Sequence, residues 1–187
     1  NAKVMAVRTS SKFPNDARSY ILSGRIAESN GDWAAAVKEF SRAIELNPKL
    51  STAYRRRSNA YSGLKSDDKA IADLNKAIET DPKNGSAYLD RGNYYSKYKK
   101  NAEAITDFTE ADRLKETCAK TYRGILYTSI AQEKKEASRT GNFLAAERDF
   151  LADDAKKCYI THFMAGLNFY TQGLNDQAAQ QFSYALT

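Results

Sequence analysis

The 187-residue sequence predicts an all-α fold, an α-solenoid of about five helix-turn-helix hairpins stacked in series. Three observations predict it. The stretch Ala36-Val37-Lys38-Glu39-Phe40, closing at Asn47-Pro48, returns 34 residues later as Ala70-Ile71-Ala72-Asp73-Leu74, closing at Asp81-Pro82, and again from Ala104-Ile105-Thr106-Asp107-Phe108. Each copy follows an aromatic-led stretch: Tyr20 to Gly24, Tyr54 to Ser58, Tyr88 to Gly92. Both halves space their apolar residues for a helix, and a fixed period with two helical stretches per unit marks a repeat array.

The elements follow in order. Residues 1–16 form a leader outside the repeat, with a helix start at Asn15 or Asp16. In the first unit, 17–50, Asn30-Gly31 turns the chain between two helices. Asn47-Pro48 ends the second of them, because the residue before a proline is pushed out of helical geometry. In the second unit, 51–84, Tyr54 and Tyr61 lie two helical turns apart and share a face, with the small Ser58 between them. The third unit, 85–118, repeats this with Tyr88, Gly92 and Tyr95, and its second half carries the small-large-small stripe Ala104, Phe108, Ala111. The fourth, 119–158, starts in frame at Tyr122, but its turn, Thr140-Gly141-Asn142-Phe143, comes about two helical turns late. Its first helix is therefore expected to be about eight residues longer than the others, before Ala146 and Phe150 resume the pattern. The fifth, 159–187, carries Gly166, Phe169, Ala178, Phe182 and Ala185 and breaks off within its second helix. No unit buries its apolar face alone, so each stacks on the next and the array reads as one continuous domain over 17–187.

The pattern resembles the tetratricopeptide repeat family. The matching residues are Tyr20, Gly24, Ala36, Phe40, Ala43 and Pro48, then Tyr54, Tyr61, Ala70, Leu74, Ala77 and Pro82, then Tyr88, Gly92, Tyr95, Ala104, Phe108 and Ala111. The resemblance implies a right-handed superhelix whose first helices line a concave groove. The groove-facing positions of the family fall on Arg18, Ile21, Arg25 and Glu28, on Thr52, Arg55, Asn59 and Ser62, on Ser86, Leu89, Asn93 and Lys97, and on Lys120, Arg123, Tyr127 and Ile130. The candidate peptide-binding residues it implies are Arg18, Arg25, Arg55, Asn59, Asn93, Lys97, Lys120, Arg123 and Tyr127. Amides there donate to and accept from a peptide backbone, and the cations pair with carboxylates. Some family members hold acidic chaperone tails in a two-carboxylate clamp. Arg55, Asn59 and Lys120 occupy three of its five positions, but Asp90 and Gly124 depart from it, and Asp90 repels a carboxylate. Chaperone-tail binding is therefore not the leading reading. In the fifth unit Ile160, Phe163, Leu167 and Tyr170 make the same face apolar, either to anchor a ligand or to be covered by further chain or by self-association.

Little in the sequence supports an enzyme. The single His162 sits where other units place a packing tyrosine, and Cys118 and Cys158 read as buried small hydrophobes rather than redox thiols. The nine glycines form no phosphate loop, so no catalytic, cofactor or metal site is expected. Asn84-Gly85-Ser86 fits the glycosylation acceptor pattern. The longest uncharged stretch, Cys158 to Asn175, is too interrupted by polar residues to span a bilayer. No signal segment opens the chain, which lacks a starting Met and stops within an apolar periodic segment; it reads as a piece of a longer protein of unassigned compartment. The net charge of +6 is local: residues 1–57 hold 11 Lys+Arg and 5 Asp+Glu, and the rest balances. The function expected is a non-catalytic scaffold that binds a partner peptide or segment, one with acidic residues, in the groove. A basic solenoid face on nucleic acid is the less favoured alternative, since stacking needs exposed aromatics and these tyrosines are assigned to packing. Homo-oligomerisation through the last repeat is the third.

Overall fold

A computed structural model describes residues 13–133, 136–152 and 160–185. Among them are ten helices and no strand: α1 (Ala17–Ser29), α2 (Trp33–Leu46), α3 (Ser51–Gly63), α4 (Asp67–Thr80), α5 (Gly85–Lys97), α6 (Asn101–Arg113), α7 (Ala119–Glu133), α8 (Glu136–Leu151), α9 (Thr161–Thr171) and α10 (Asn175–Ala185). They form two compact units, Asn1–Ala87 and Tyr88–Thr187, with the boundary inside the first turn of α5.

In the first unit, local chemistry sets the helix ends. Asp16 caps α1 by accepting the Arg18 N–H at 2.9 Å, and Asp32 caps α2 by accepting the Ala35 N–H at 3.1 Å. Asn47 and Asp81 end α2 and α4 with extended backbones, and each side chain accepts the N–H two residues on, from Lys49 and Lys83, at 3.0 Å. These Asx turns lead the chain past Pro48 and Pro82 into the next helix. Asn84 is used twice: its Oδ1 accepts the Ala87 N–H at 3.2 Å, and its Nδ2 donates to Ser51 Oγ at 2.7 Å. The amide nitrogen that glycosylation would modify is thus already committed.

The core is built on small-under-large contacts. Gly24 lies beneath the Phe40 ring so closely that an added Cβ would stand 2.5 Å from it. Ala36, Phe40 and Ala60 then bury together with Ile21, Trp33 and Val37 around them. Tyr54, Ala77 and Ala87 form the next cluster, with Ile44 and Ile78.

The second unit repeats the device at Gly92 under Phe108, Gly124 under Phe150 and Gly166 under Phe182. The fourth hairpin departs from the sequence reading in two ways. The expected turn at 140–143 lies inside α8, and α7 spans 15 residues against 13 in α1, α3 and α5, so the extra length is shared between both helices. The register also differs. The in-frame start at Tyr122 places the fourth unit 34 residues after the third, but the glycine under the large ring is Gly124, two residues short of that spacing from Gly92. Two residues turn a helix by about 200°, so the positions assigned to the groove on α7 rotate toward the core.

Hairpin tips use left-handed backbone. Gly31 (φ 72°), Lys65 (φ 57°), Lys99 (φ 56°) and Gly173 (φ 78°) each follow the packed small residue of their hairpin by the same interval. In the fourth hairpin that place falls on Ala131, still inside α7. Cys118, just before α7, is disulfide-bonded and is not the free buried thiol expected; the other cysteine of the sequence, Cys158, lies outside the described residues.

Candidate functional site

In hairpins two to four, the residue before the packed small residue and the residue before its large partner form a second, polar pair. In the second hairpin Arg57 of α3 grips Asp73 of α4: Nε donates to Oδ2 at 2.7 Å and Nη2 to Oδ1 at 2.8 Å. The remaining Nη1 reaches back to Ser41 Oγ of the preceding hairpin at 3.0 Å. Tyr54 and Tyr61 flank the guanidinium at 5.8 and 5.7 Å from their ring centres. The third hairpin repeats this with Arg91 and Asp107, both bonds 2.8 Å, between Tyr88 and Tyr95. The fourth repeats it with Arg123 and Asp149 at 2.7 and 2.9 Å, and Arg123 also reaches Thr109 and Asp112 of α6. All three arginines have their pKa pushed further up, chiefly by the hydrogen bonds of their aspartates. These clamps hold the two helices of a hairpin together, and Arg57 and Arg123 also hold the hairpin to its predecessor.

That geometry re-sorts the candidate binding residues. In the first unit Arg18 and Arg25 are exposed on α1, and Arg55 and Asn59 are half-buried on α3. Arg18 is tied to Asp16 at 3.2 Å. Of the run Arg55-Arg56-Arg57, Arg56 pairs with Glu28 at 3.4 Å and Arg57 is spent on Asp73, so the basic N-terminal excess is partly neutralised from within. In the second unit Asn93 is half-buried, and Lys97 is exposed with its ammonium over Tyr94 and Tyr98. Lys120 lies 3.6 Å from Asp112. Arg123 is only 8% exposed and faces its clamp rather than solvent, Ile130 is buried, and Tyr127 packs beside the cluster of Ala146, Phe150 and Ala165. The register shift of α7 accounts for all three.

On α9, Leu167 is half-buried, while Phe163 and Tyr170 are exposed, at 51% and 63%. The tip of α9 and helix α10 add Leu174 and Tyr184 as exposed apolar side chains. His162 packs at 5.5 Å from the Tyr184 ring with Nδ1 3.0 Å from Gln181 Oε1. The first helices of the last two hairpins meet through polar contacts, Thr121 to Thr161 at 2.7 Å and Thr128 to Asn168 at 2.9 Å. Among the described residues no cluster of His, Cys, Asp and Glu can hold a metal, and no helix is long and apolar enough to cross a membrane.

The comparisons with known proteins agree with this architecture. Residues 6–51 and 21–84 match one tetratricopeptide repeat family model, and residues 74–106 match a second. The matched span covers more than half of the chain, reaches into the segment 1–16 and ends before α7, where the spacing becomes irregular. Similar solved structures include the MamA protein (19% identical, 91% of this chain and 90% of MamA covered, TM-score 0.63). YrrB, described as a tetratricopeptide repeat protein with an unusual peptide-binding site, is 20% identical over 97% of this chain and 90% of its own, with a TM-score of 0.61. A tetratricopeptide repeat protein from Parabacteroides merdae is 21% identical over 98% of this chain and 71% of its own, with a TM-score of 0.71. No curated protein sequence matches the chain.

Proposed function

The chain belongs to the tetratricopeptide repeat family, and on that footing we propose that it is a non-catalytic scaffold that binds a partner protein through an acidic segment. The observation that carries the acidic preference is on α1, where Arg25 is exposed and has no acidic partner among the described residues. Arg18 precedes it by two helical turns on the same face, and α3 adds Arg55 and Asn59. Cations and an amide in this arrangement suit carboxylates set along a peptide backbone. The peptide-binding description of YrrB supports the same kind of use. Lys97 and Asn93 offer a second, weaker patch on α5, whereas Lys120 and Arg123 are engaged by Asp112 and Asp149.

Fluorescence anisotropy with a panel of acidic and charge-neutral peptides tests the reading. The Arg25→Glu/Arg55→Glu double variant is expected to bind the acidic peptides about tenfold or more weakly, with binding of the parent chain falling as salt rises. Equal affinity of parent and variant for the acidic peptides rejects it.

A second reading rests on the exposed Phe163 and Tyr170: self-association through the fifth hairpin, which light scattering on a Phe163→Glu/Tyr170→Glu variant tests. A parent that is already monomeric at high concentration rejects that reading.

A further inference from the structure

Asn-Gly pairs occur twice in the sequence, at Asn30-Gly31 and Asn84-Gly85, and the fold treats them differently. Such a pair carries its own chemistry. The backbone nitrogen after the asparagine attacks the side-chain carbonyl carbon, and a glycine there has no Cβ to block the approach. A bond from that nitrogen to Cγ forms as the Cγ–Nδ2 bond breaks, and the side-chain amide leaves as ammonia, taking the proton of the attacking nitrogen. Water then opens the five-membered imide. Opening at Cγ gives aspartate, opening at the main-chain carbonyl gives isoaspartate, and nothing is oxidised or reduced.

The two pairs differ in what holds the reacting atoms in place. Asn84 is half-buried and Gly85 is buried. Asn84 Oδ1 accepts the Ala87 N–H at 3.2 Å, its Nδ2 donates to Ser51 Oγ at 2.7 Å, and Ser51 Oγ donates in turn to the Ala77 carbonyl at 2.7 Å. Attack at Asn84 therefore breaks a chain of hydrogen bonds that ends in the core of the second hairpin. Asn30 and Gly31 are exposed at the tip of the first hairpin, and a Cβ at Gly31 would meet no atom within 4 Å. Among the described residues the Asn30 side chain makes no hydrogen bond. A ψ of 1° at Asn30 and the bond from the Gly31 N–H to the Glu28 carbonyl at 3.0 Å turn the nitrogen away from Cγ, so the last turn of α1 must fray before the ring closes. An exposed helix end is where local opening costs least. This end of α1 is also the one away from the leader, about 20 Å along the helix from Ala17, and the reaction needs water but no partner.

We propose that Asn30 is a site of spontaneous deamidation, which converts the tip of the first hairpin to aspartate and isoaspartate, and that the fold withholds Asn84 from the same reaction. Aspartate at this position sets a carboxylate at the negative end of α1, between Glu28 and Asp32 in sequence. Isoaspartate lengthens the main chain of the turn. Both products loosen the first hairpin.

The test incubates the folded chain at mildly alkaline pH and maps its peptides by mass and by chromatography that separates aspartate from isoaspartate. Asn30 is expected to convert about tenfold or more faster than Asn84, and the aged chain to melt at a lower temperature. In short peptides carrying each pair, the two rates should agree within about threefold, since no fold distinguishes them. Ser51→Ala, which removes the partner of the Asn84 amide, should raise the Asn84 rate and leave that of Asn30 unchanged. Asn30→Gln should abolish the loss of melting temperature. Equal rates at Asn30 and Asn84 in the folded chain, or an intact Asn30 after its peptide has fully converted, overturns the proposal.

Discussion

Arg123 and Asp149 lie 26 residues apart in sequence yet meet in the same two-bond geometry that Arg57 and Asp73 make across 16. The clamp is thus a fixed spatial relation that the fourth hairpin preserves across ten extra residues. Removing one partner leaves the other charge buried. Arg123→Ala is expected to destabilise the fold by about 3–5 kcal/mol in denaturant titrations, and joint replacement by Met and Leu by much less.

The close approach of Gly92 to Phe108 makes a second prediction. A Cβ there would stand 2.7 Å from the ring and 3.3 Å from the Asp107 Cβ. Gly92→Ala is expected to cost about 1–3 kcal/mol, because the ring is packed on its other side and must shift with its helix. Thermal unfolding checks it.

Lys65 occupies a left-handed turn that the first and fifth hairpins give to Gly31 and Gly173. Lys65→Gly is expected to stabilise by about 1 kcal/mol, the cost of left-handed backbone for a residue with a Cβ. An unchanged or lowered denaturation midpoint contradicts it.

Glu39 predicts a dependence on pH. Its pKa is raised in the folded chain, so between the ordinary carboxylate value and the raised one the folded state holds more proton than the unfolded. Stability contributed by this group therefore falls as pH rises through that window. Glu39→Gln should be more stable than the parent at neutral pH, with the gap closing as the solution is acidified. Parallel curves for the two proteins would argue against it.

The bonded state of Cys118 predicts that it resists alkylation by iodoacetamide until a reductant is added. Peptide mass mapping with and without reduction reads this directly.

Much of the fold was legible because the repeated residues are those whose physics is local. Asn47-Pro48 and Asp81-Pro82 stop helices by backbone sterics, and Gly24, Gly92 and Phe108 announce a close contact by size alone. The clamps were equally repetitive: Arg57 and Arg91, like Asp73 and Asp107, are 34 apart. Repetition alone does not show that they meet, because a charge recurring on a helix reads equally as solvated surface until the facing helix is placed. The fourth hairpin misled for another reason. Tyr122 keeps the aromatic spacing, but register is set by the residue that must be small, and that is Gly124. Thr140-Gly141 reads as a turn by composition, yet it lies inside α8.

The lengthened fourth hairpin also says where such a chain tolerates growth. Its added residues fall between Gly124 and Asp149, beyond the point where the paired contacts hold the two helices together. The tip of a hairpin is therefore a free end in the engineering sense, extendable without reopening the base. The tips at Gly31, Lys65 and Gly173 are where a loop, an epitope or a fluorescent reporter could be grafted, leaving the stacked faces to keep their own register.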